Sequence, residues 1–216
     1  SELNRWLEGL ITLAHQGSIT RVVLGNEAAD LDSMASAVAF ARLLVEMAGP
    51  GERSTIPVIN IPREDFVLRT EAVWLFQEAR LNAAKLVFLD DIDLDRLHAG
   101  GRLGLVLVDH NRLPAAREAW GPAVEEILDH HQDEGQHAQA KRTVAPVGST
   151  ATLVTERFLQ QAPGLLEKPL ATLLLGTILL DTVNLDPAAK RVTPRDEQAA
   201  GRLLAVTGAD RQALFD

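Results

Sequence analysis

The 216-residue chain has no cysteine. Disulfide staples and thiolate metal sites are thereby excluded, and Asp, Glu, His and Asn remain as the side chains able to hold a metal. Long apolar runs are also missing. No stretch approaches the length that spans a bilayer, and the first residues, SELNRWLEGL, lack the basic-then-apolar pattern of a secretory leader. The sequence therefore predicts a soluble, cytoplasmic protein with no membrane partner. Positive charge is in short supply, with 21 Lys and Arg against 30 Asp and Glu, a net charge of −9 and an isoelectric point of about 5.2. Such a surface repels polyanions, which argues against broad nucleic-acid binding. Any phosphorylated substrate then depends on local positive charge, which bound divalent cations can supply. Gly25-Asn26-Glu27 offers no glycine-rich phosphate turn, which disfavours a metal-free dinucleotide-binding domain.

What is present is a hydrophobic share of 46%, enough to bury the core of one large domain. Short β-branched runs alternate with helical patterns, which predicts an α/β fold: a parallel β-sheet flanked by helices. The strand candidates are residues 20–24, 56–59, 85–89, 103–108 and 124–128, and the helix candidates among them are 32–47, 71–79 and 93–99, the last closed by Gly100-Gly101. Beyond about residue 148 the chain becomes more helical, with candidates at 150–161, 167–180 and 194–204, where Thr193 reads as a cap and Pro194 as the first helical position. The polar loop 132–139 suits an exposed connection.

Where the first strand gives way to a helix, the chain reads Leu24-Gly25-Asn26-Glu27-Ala28-Ala29-Asp30-Leu31-Asp32-Ser33. Asp and Ser are favoured helix caps, so Asp30, Asp32 or Ser33 can be an N-cap and nothing more. The alternative is that Asn26, Asp30 and Asp32 project from the carboxyl end of a parallel strand, where open α/β sheets place their ligands. Carboxylates so close repel unless a cation sits between them. The apolar strand before Asp109-His110-Asn111 stops abruptly, and an Asp there can simply cap a turn. The pattern repeats at Asp129-His130-His131, where one histidine can ligate a metal while the other reaches a phosphate or a proton. Strands that end in acid and histidine at one sheet edge are the constellation expected of a metal centre. Asp181 ends a strongly apolar helix, where a carboxylate is rare without a partner; a structural ion pair with Lys190, Arg191 or Arg195 is the plainer alternative. Gly148-Ser149-Thr150 opens a helix, where capping is the ordinary role, although free N–H groups also bind phosphate.

In this order and at these strand ends, GNEAADLDS, LVDHN, LDHH and LLDTVNLD, with GSTATLVTE before the last, resemble the motif set of the DHH phosphoesterase family over about residues 21–195. GNE followed by an acidic pair resembles the prune and exopolyphosphatase branch; the related family II inorganic pyrophosphatases carry a histidine in the first motif. The resemblance implies a two-metal site in which Asp109 bridges both ions. Asp30, helped by Asn26, would hold the first, and Asp32, His130 and Asp181 the second. His131 would face the substrate phosphate with His110 close by, so Asp109, His131 and His110 are the candidate catalytic residues. Ser149, Lys190 and Arg191 join His131 as candidate phosphate contacts. The implied cofactors are two divalent cations, Mg²⁺ or Mn²⁺, with Co²⁺ also able to serve, and an amide oxygen at Asn26 makes the first site harder and favours Mg²⁺. The implied activity is hydrolysis of phosphoanhydride bonds in polyphosphate, pyrophosphate or other short-chain phosphates. Its alternatives are a phosphodiesterase on short or cyclic nucleotides, and a module with weak or no catalysis that works through protein partners. Complete family members continue into a second domain that brings basic residues to the substrate. The expected division here is a DHH catalytic domain over 1–192 and a helical linker over 193–216, leading toward a C-terminal domain that this chain does not contain.

Overall fold

The β-branched runs pair with one another, as their burial requires. A computed structural model describes residues 1–16 and 20–216. Its strands are β1 (Thr20–Leu24), β2 (Ser54–Val58), β3 (Leu103–Val108), β4 (Val124–Asp129) and β5 (Lys141–Val144). They form one sheet in the order β2-β1-β3-β4-β5, parallel at every pairing. Central strand β3 is buried at each residue, as expected when helices cover both faces of a parallel sheet. Pro57, which donates no ladder hydrogen bond, sits in edge strand β2. From β1 the chain winds first to β2 on one side and then to β3 on the other. The β1/β3 boundary is therefore the switch point, where crevices form beyond the carboxyl ends of the strands.

The helices are α1 (Glu2–Gln16), α2 (Leu31–Met47), α3 (Thr70–Glu78), α4 (Leu94–Ala99), α5 (Thr150–Gln161), α6 (Lys168–Asp181), α7 (Pro194–Thr207) and α8 (Arg211–Phe215). Helix α2 is buried without a break from Leu31 to Leu43 because it lies between the sheet and a second layer made by α5 and α6. Helix α6 is buried from Leu170 to Leu179, with α2 and α7 among its neighbours. Within the segment expected as a linker, α7 packs on α5 and α6 and buries Ala199, Ala200 and Leu203.

Three elements differ from expectation, the first being α1, which was not among the helix candidates. Residues 85–89 form no strand; Phe88 makes only an isolated bridge to Ile59. Short 3-10 turns at Ala83–Lys85 and Leu89–Asp91 cut the run at both ends, and Arg63 fastens it by bonding the Leu86 carbonyl and Asp91. Edge strand β5 lacked the apolar signature of the others because Lys141 and Arg142 lead it, and charge on an edge strand is the usual guard against further pairing.

Candidate active site

Asp109 is the hub. It follows β3 in the left-handed conformation, φ 62°, and is 1% exposed. Its Oδ2 accepts from Ser33 Oγ at 2.7 Å and Asn26 Nδ2 at 2.9 Å, and its Oδ1 accepts from Thr150 Oγ1 at 3.2 Å. Gly25 permits the close approach of the β1–α2 loop, since a Cβ there would lie 2.8 Å from Ser33 Cβ and 3.0 Å from the Ser33 carbonyl oxygen. Asn26 is oriented by its own neighbours. Its Oδ1 accepts from Ala29 N–H at 3.1 Å, so the NH₂ is the group turned to Asp109.

Asp30 caps α2, accepting from Ser33 N–H at 3.0 Å. Asp32, 4% exposed, accepts from the backbone N–H groups of Thr150 at 2.6 Å and Ala151 at 2.9 Å. These open α5, so Asp32 has already taken the helix donors that sequence suggested for phosphate. Ser149 is the N-cap, is fully buried, and its hydroxyl contacts Asp181. Asp181 ends α6, and its Oδ2 is buried with no hydrogen-bond partner among the described residues. The chain leaves it through three successive left-handed residues, Val183, Asn184 and Leu185 (φ 51°, 57° and 61°). That conformation is costly for β-branched Val183, and such strain tends to gather at functional sites.

The histidine pair is held by its Nδ1 atoms. His130 Nδ1 lies 2.9 Å from the Val147 carbonyl, which makes it the protonated nitrogen and turns Nε2 toward Asp109 Oδ1 at 3.4 Å and Asp32 Oδ2 at 3.8 Å. His131 Nδ1 donates to Asp129 Oδ1 at 2.8 Å. Asp129, fully buried, also accepts from the His130 and His131 N–H groups and from Asn111 Nδ2. Burial opposes its charge, yet the bonds from His131 and Asn111 outweigh this and hold its carboxyl below the usual range. Asp129 was not singled out in the sequence, although it stands inside the LDHH motif. The Asp129 hydrogen bond in turn raises His131. Asp129→Asn is therefore expected to lower the His131 value, move the alkaline limb of the pH–rate profile to lower pH, and reduce turnover about 10–100-fold. An unchanged profile would refute the coupling.

Desolvation within the cleft and the Asp109 charge raise Asp30. Burial and the charges of Asp109 and Asp181 put Asp32 well above the ordinary value, and burial pushes Asp181 up to about 7. Burial opposes the charge on His130, but its hydrogen bond to Asp109 and the charge of Asp32 push it up to about 10. The cluster thus calls for positive charge. Oxygen and imidazole donors fit divalent cations, and ligand atoms of Asp109, His130 and His131 lie within 4.8 Å of one another.

Asp30, Asp32, Asp109, His130, His131, Asp181, Lys190 and Arg191 line one cleft of about 500 Å³. Lys190 and Arg191 are exposed at it and form no ion pair among the described residues. His110 is elsewhere. With Asn26 it lines a neighbouring concavity, and it is anchored by a 2.9 Å contact from Nδ1 to the Val108 carbonyl. Burial lowers its value, so it is neutral at pH 7. Asp196 also escaped sequence reading. Its position three residues after Thr193 signals a helix cap, but its Oδ1 and Oδ2 also accept the Gly148 N–H, tying α7 to the cleft.

A sequence profile of the DHH family, N-terminal domain, matches residues 20–178. The chain is 46% identical over 186 residues to the mouse exopolyphosphatase PRUNE1, covering 86% of this chain and 41% of that protein. It is 23% identical over 198 residues to a candidate manganese-dependent inorganic pyrophosphatase of Oceanobacillus iheyensis, covering 90% of this chain and 58% of that one. The chain thus spans less than half the length of the mouse relative. Among solved structures, a candidate family II inorganic pyrophosphatase of Methanococcus jannaschii superposes with a TM-score of 0.64 at 23% identity, over 90% of this chain and 58% of that one. That likeness concerns the fold.

Proposed function

Because the chain belongs to the DHH family, matched over residues 20–178, we propose that it hydrolyses phosphoanhydride bonds in inorganic polyphosphate or short-chain phosphates, using two divalent cations. The observation that carries this reading is the convergence of Asp30, Asp32, Asp109, Asp181 and His130 on one cleft, with a buried, unpartnered Asp181 oxygen among them. Asp109 would be shared, Asp30 would hold one ion, and Asp32, His130 and Asp181 the other. Asn26 contributes through the hydrogen bond that aims Asp109, and any direct ligation would compete with Ala29 N–H for its oxygen. The mostly oxygen donor set suits Mg²⁺ or Mn²⁺. Bound there, the cations would neutralise phosphate charge and make water a nucleophile at neutral pH.

The remaining work falls to the chain's own groups. His131 lines the cleft with its Nδ1 fixed on Asp129, so its protonated form could donate a hydrogen bond from the other ring nitrogen to a substrate phosphate oxygen. Lys190 and Arg191, which form no ion pair among the described residues, offer positive charge at the same cleft, which an acidic protein needs to admit a polyanion. No described helix is long and apolar enough to cross a membrane, which agrees with action on a dissolved substrate.

The test is phosphate release from pyrophosphate, tripolyphosphate and long-chain polyphosphate with Mg²⁺, Mn²⁺, Co²⁺ or chelator. Metal-dependent release supports the reading, and none with any metal would sink it. A second expectation concerns protons. Asp181, raised from 3.8 to about 7, and His130, raised from 6.5 to about 10, both bind protons more tightly folded than unfolded. The cation-free protein should therefore lose stability as pH rises through these windows, first from 3.8 to about 7 and then from 6.5 to about 10. Cation binding should release protons at pH 8 and tighten as pH rises. Calorimetry in buffers of different ionisation enthalpy measures this, and identical heats would contradict it.

A further inference from the structure

A second concavity of about 240 Å³ is lined by Leu24, Asn26, Asn60, His110, Arg112 and Arg117 among others. Among the described residues that line it the one acid is Glu27, which is exposed. Arg117 is held there twice. Its Nη1 donates to Asn60 Oδ1 at 2.8 Å, and its guanidinium lies 5.0 Å from the ring centroid of Trp120, a buried indole. Asn60 is 7% exposed, and it is braced by donating its Nδ2 to the Gly25 carbonyl at 2.9 Å. Neither hold on Arg117 is anionic, and it makes no ion pair among the described residues. A guanidinium fixed in this way has already lost much of its rotamer freedom, yet its charge is uncompensated, which suits it to bind an anion. Arg112 adds a second cation. It lies 3.6 Å from Glu134, but both side chains are more than half exposed, and so open a pair contributes little and exchanges easily.

The two concavities adjoin. Asn26 lines this one, and its Nδ2 lies 2.9 Å from Oδ2 of Asp109, which lines the other. A single phosphate in the acidic cleft has nothing to place beyond Asn26, whereas a chain of phosphates has. We propose that this concavity is a subsite for the inner phosphates of a condensed phosphate chain. Arg117 and Arg112 are its cationic contacts, and Asn60 positions Arg117. The proposal rests on the phosphohydrolase reading and adds to it the residues that would hold the inner phosphates of the chain.

Imidodiphosphate and diimidotriphosphate, whose bridging nitrogens resist hydrolysis, are the probes, with binding followed by calorimetry in Mg²⁺. The wild-type chain is expected to bind the triphosphate analogue about tenfold more tightly than the diphosphate analogue. Arg117→Met, which keeps an apolar stem over Trp120, should erase that difference and change imidodiphosphate binding less than about twofold. Arg112→Ala, at an exposed position, should weaken only the triphosphate analogue, by about threefold. Arg117→Lys should restore part of the preference, as charge without the fork allows. Equal weakening of both analogues by Arg117→Met, or of neither, would overturn the subsite and leave the hydrolase reading standing. Failure of folded wild-type chain to bind either analogue would overturn both.

Discussion

Asp109→Asn is expected to lower metal-dependent release of phosphate from tripolyphosphate on the order of 10³-fold, the scale lost when a preorganised charge leaves an active site, while the melting temperature stays the same or rises. The two halves of that expectation have one cause. Asp109 sits at φ 62°, a conformation that Asn tolerates as well as Asp, so the backbone is kept. An amide oxygen can still accept from Ser33 Oγ and Asn26 Nδ2, and its NH₂ can turn to Thr150 Oγ1. Only the charge is lost, and that charge raises both Asp30 and Asp32, so its removal relieves repulsion in the folded state. It also supports the His130 proton, so His130 should fall from about 10 in the variant. Turnover, cation affinity and melting temperature measured together separate the outcomes. Near wild-type turnover would end the shared-carboxylate proposal, and a large drop in melting temperature would mean that Asp109 serves the fold first.

Much of this site was legible because strands that run apolar to their last residue and then switch to acid or histidine, as at Asp109 and at Asp129-His130-His131, leave little choice about where those side chains go. The sheet order then adds what no single motif holds: β1 and β3 are neighbours at the switch point, so Asp30 and Asp109 meet although 79 positions separate them. Harder to read was the direction of each polar group. Asn26 was expected to offer an oxygen to a cation, and that oxygen already accepts one hydrogen bond from Ala29 N–H, three residues ahead. In sequence Ser149 reads as a helix cap with phosphate contact as its alternative, and it is the cap; the donors of α5 that a phosphate would have used are turned inward to Asp32, whose partnership spans 118 residues. Pairings of that separation leave no local pattern. The same holds for Arg117, whose meaning depends on Asn60 and Trp120 rather than on its own neighbours in sequence.

Asp196 carries the second large expectation: Asp196→Ala should destabilise the chain by about 3–5 kcal/mol, the range for breaking a buried charged network by removing one member. For a chain of this size that corresponds to roughly 10 °C in melting temperature. The carboxylate is fully buried and accepts from Gly148 N–H, Thr152 Oγ1, Thr193 N–H and Thr193 Oγ1. Truncation leaves the Gly148 and Thr193 N–H groups without an acceptor, and each orphaned donor costs about 1–3 kcal/mol. The damage should also reach the cleft. Gly148 is wedged so tightly that a Cβ there would lie 2.5 Å from Thr182 Cγ2 and 2.7 Å from the Arg191 carbonyl oxygen. On either side of it, the Val147 carbonyl holds His130 Nδ1 and Ser149 contacts Asp181, while Thr150 and Ala151 hold Asp32. Loosening Gly148 therefore loosens three proposed ligands at once, and cation affinity should fall about 10–100-fold, the usual effect of losing a support behind a metal ligand. A cation that binds only the folded chain should restore part of the lost melting temperature, and more of it as the Mg²⁺ concentration is raised, by mass action. A variant that melts within about 3 °C of wild type and binds cations normally would show that α7 merely rests against the site and does not hold it.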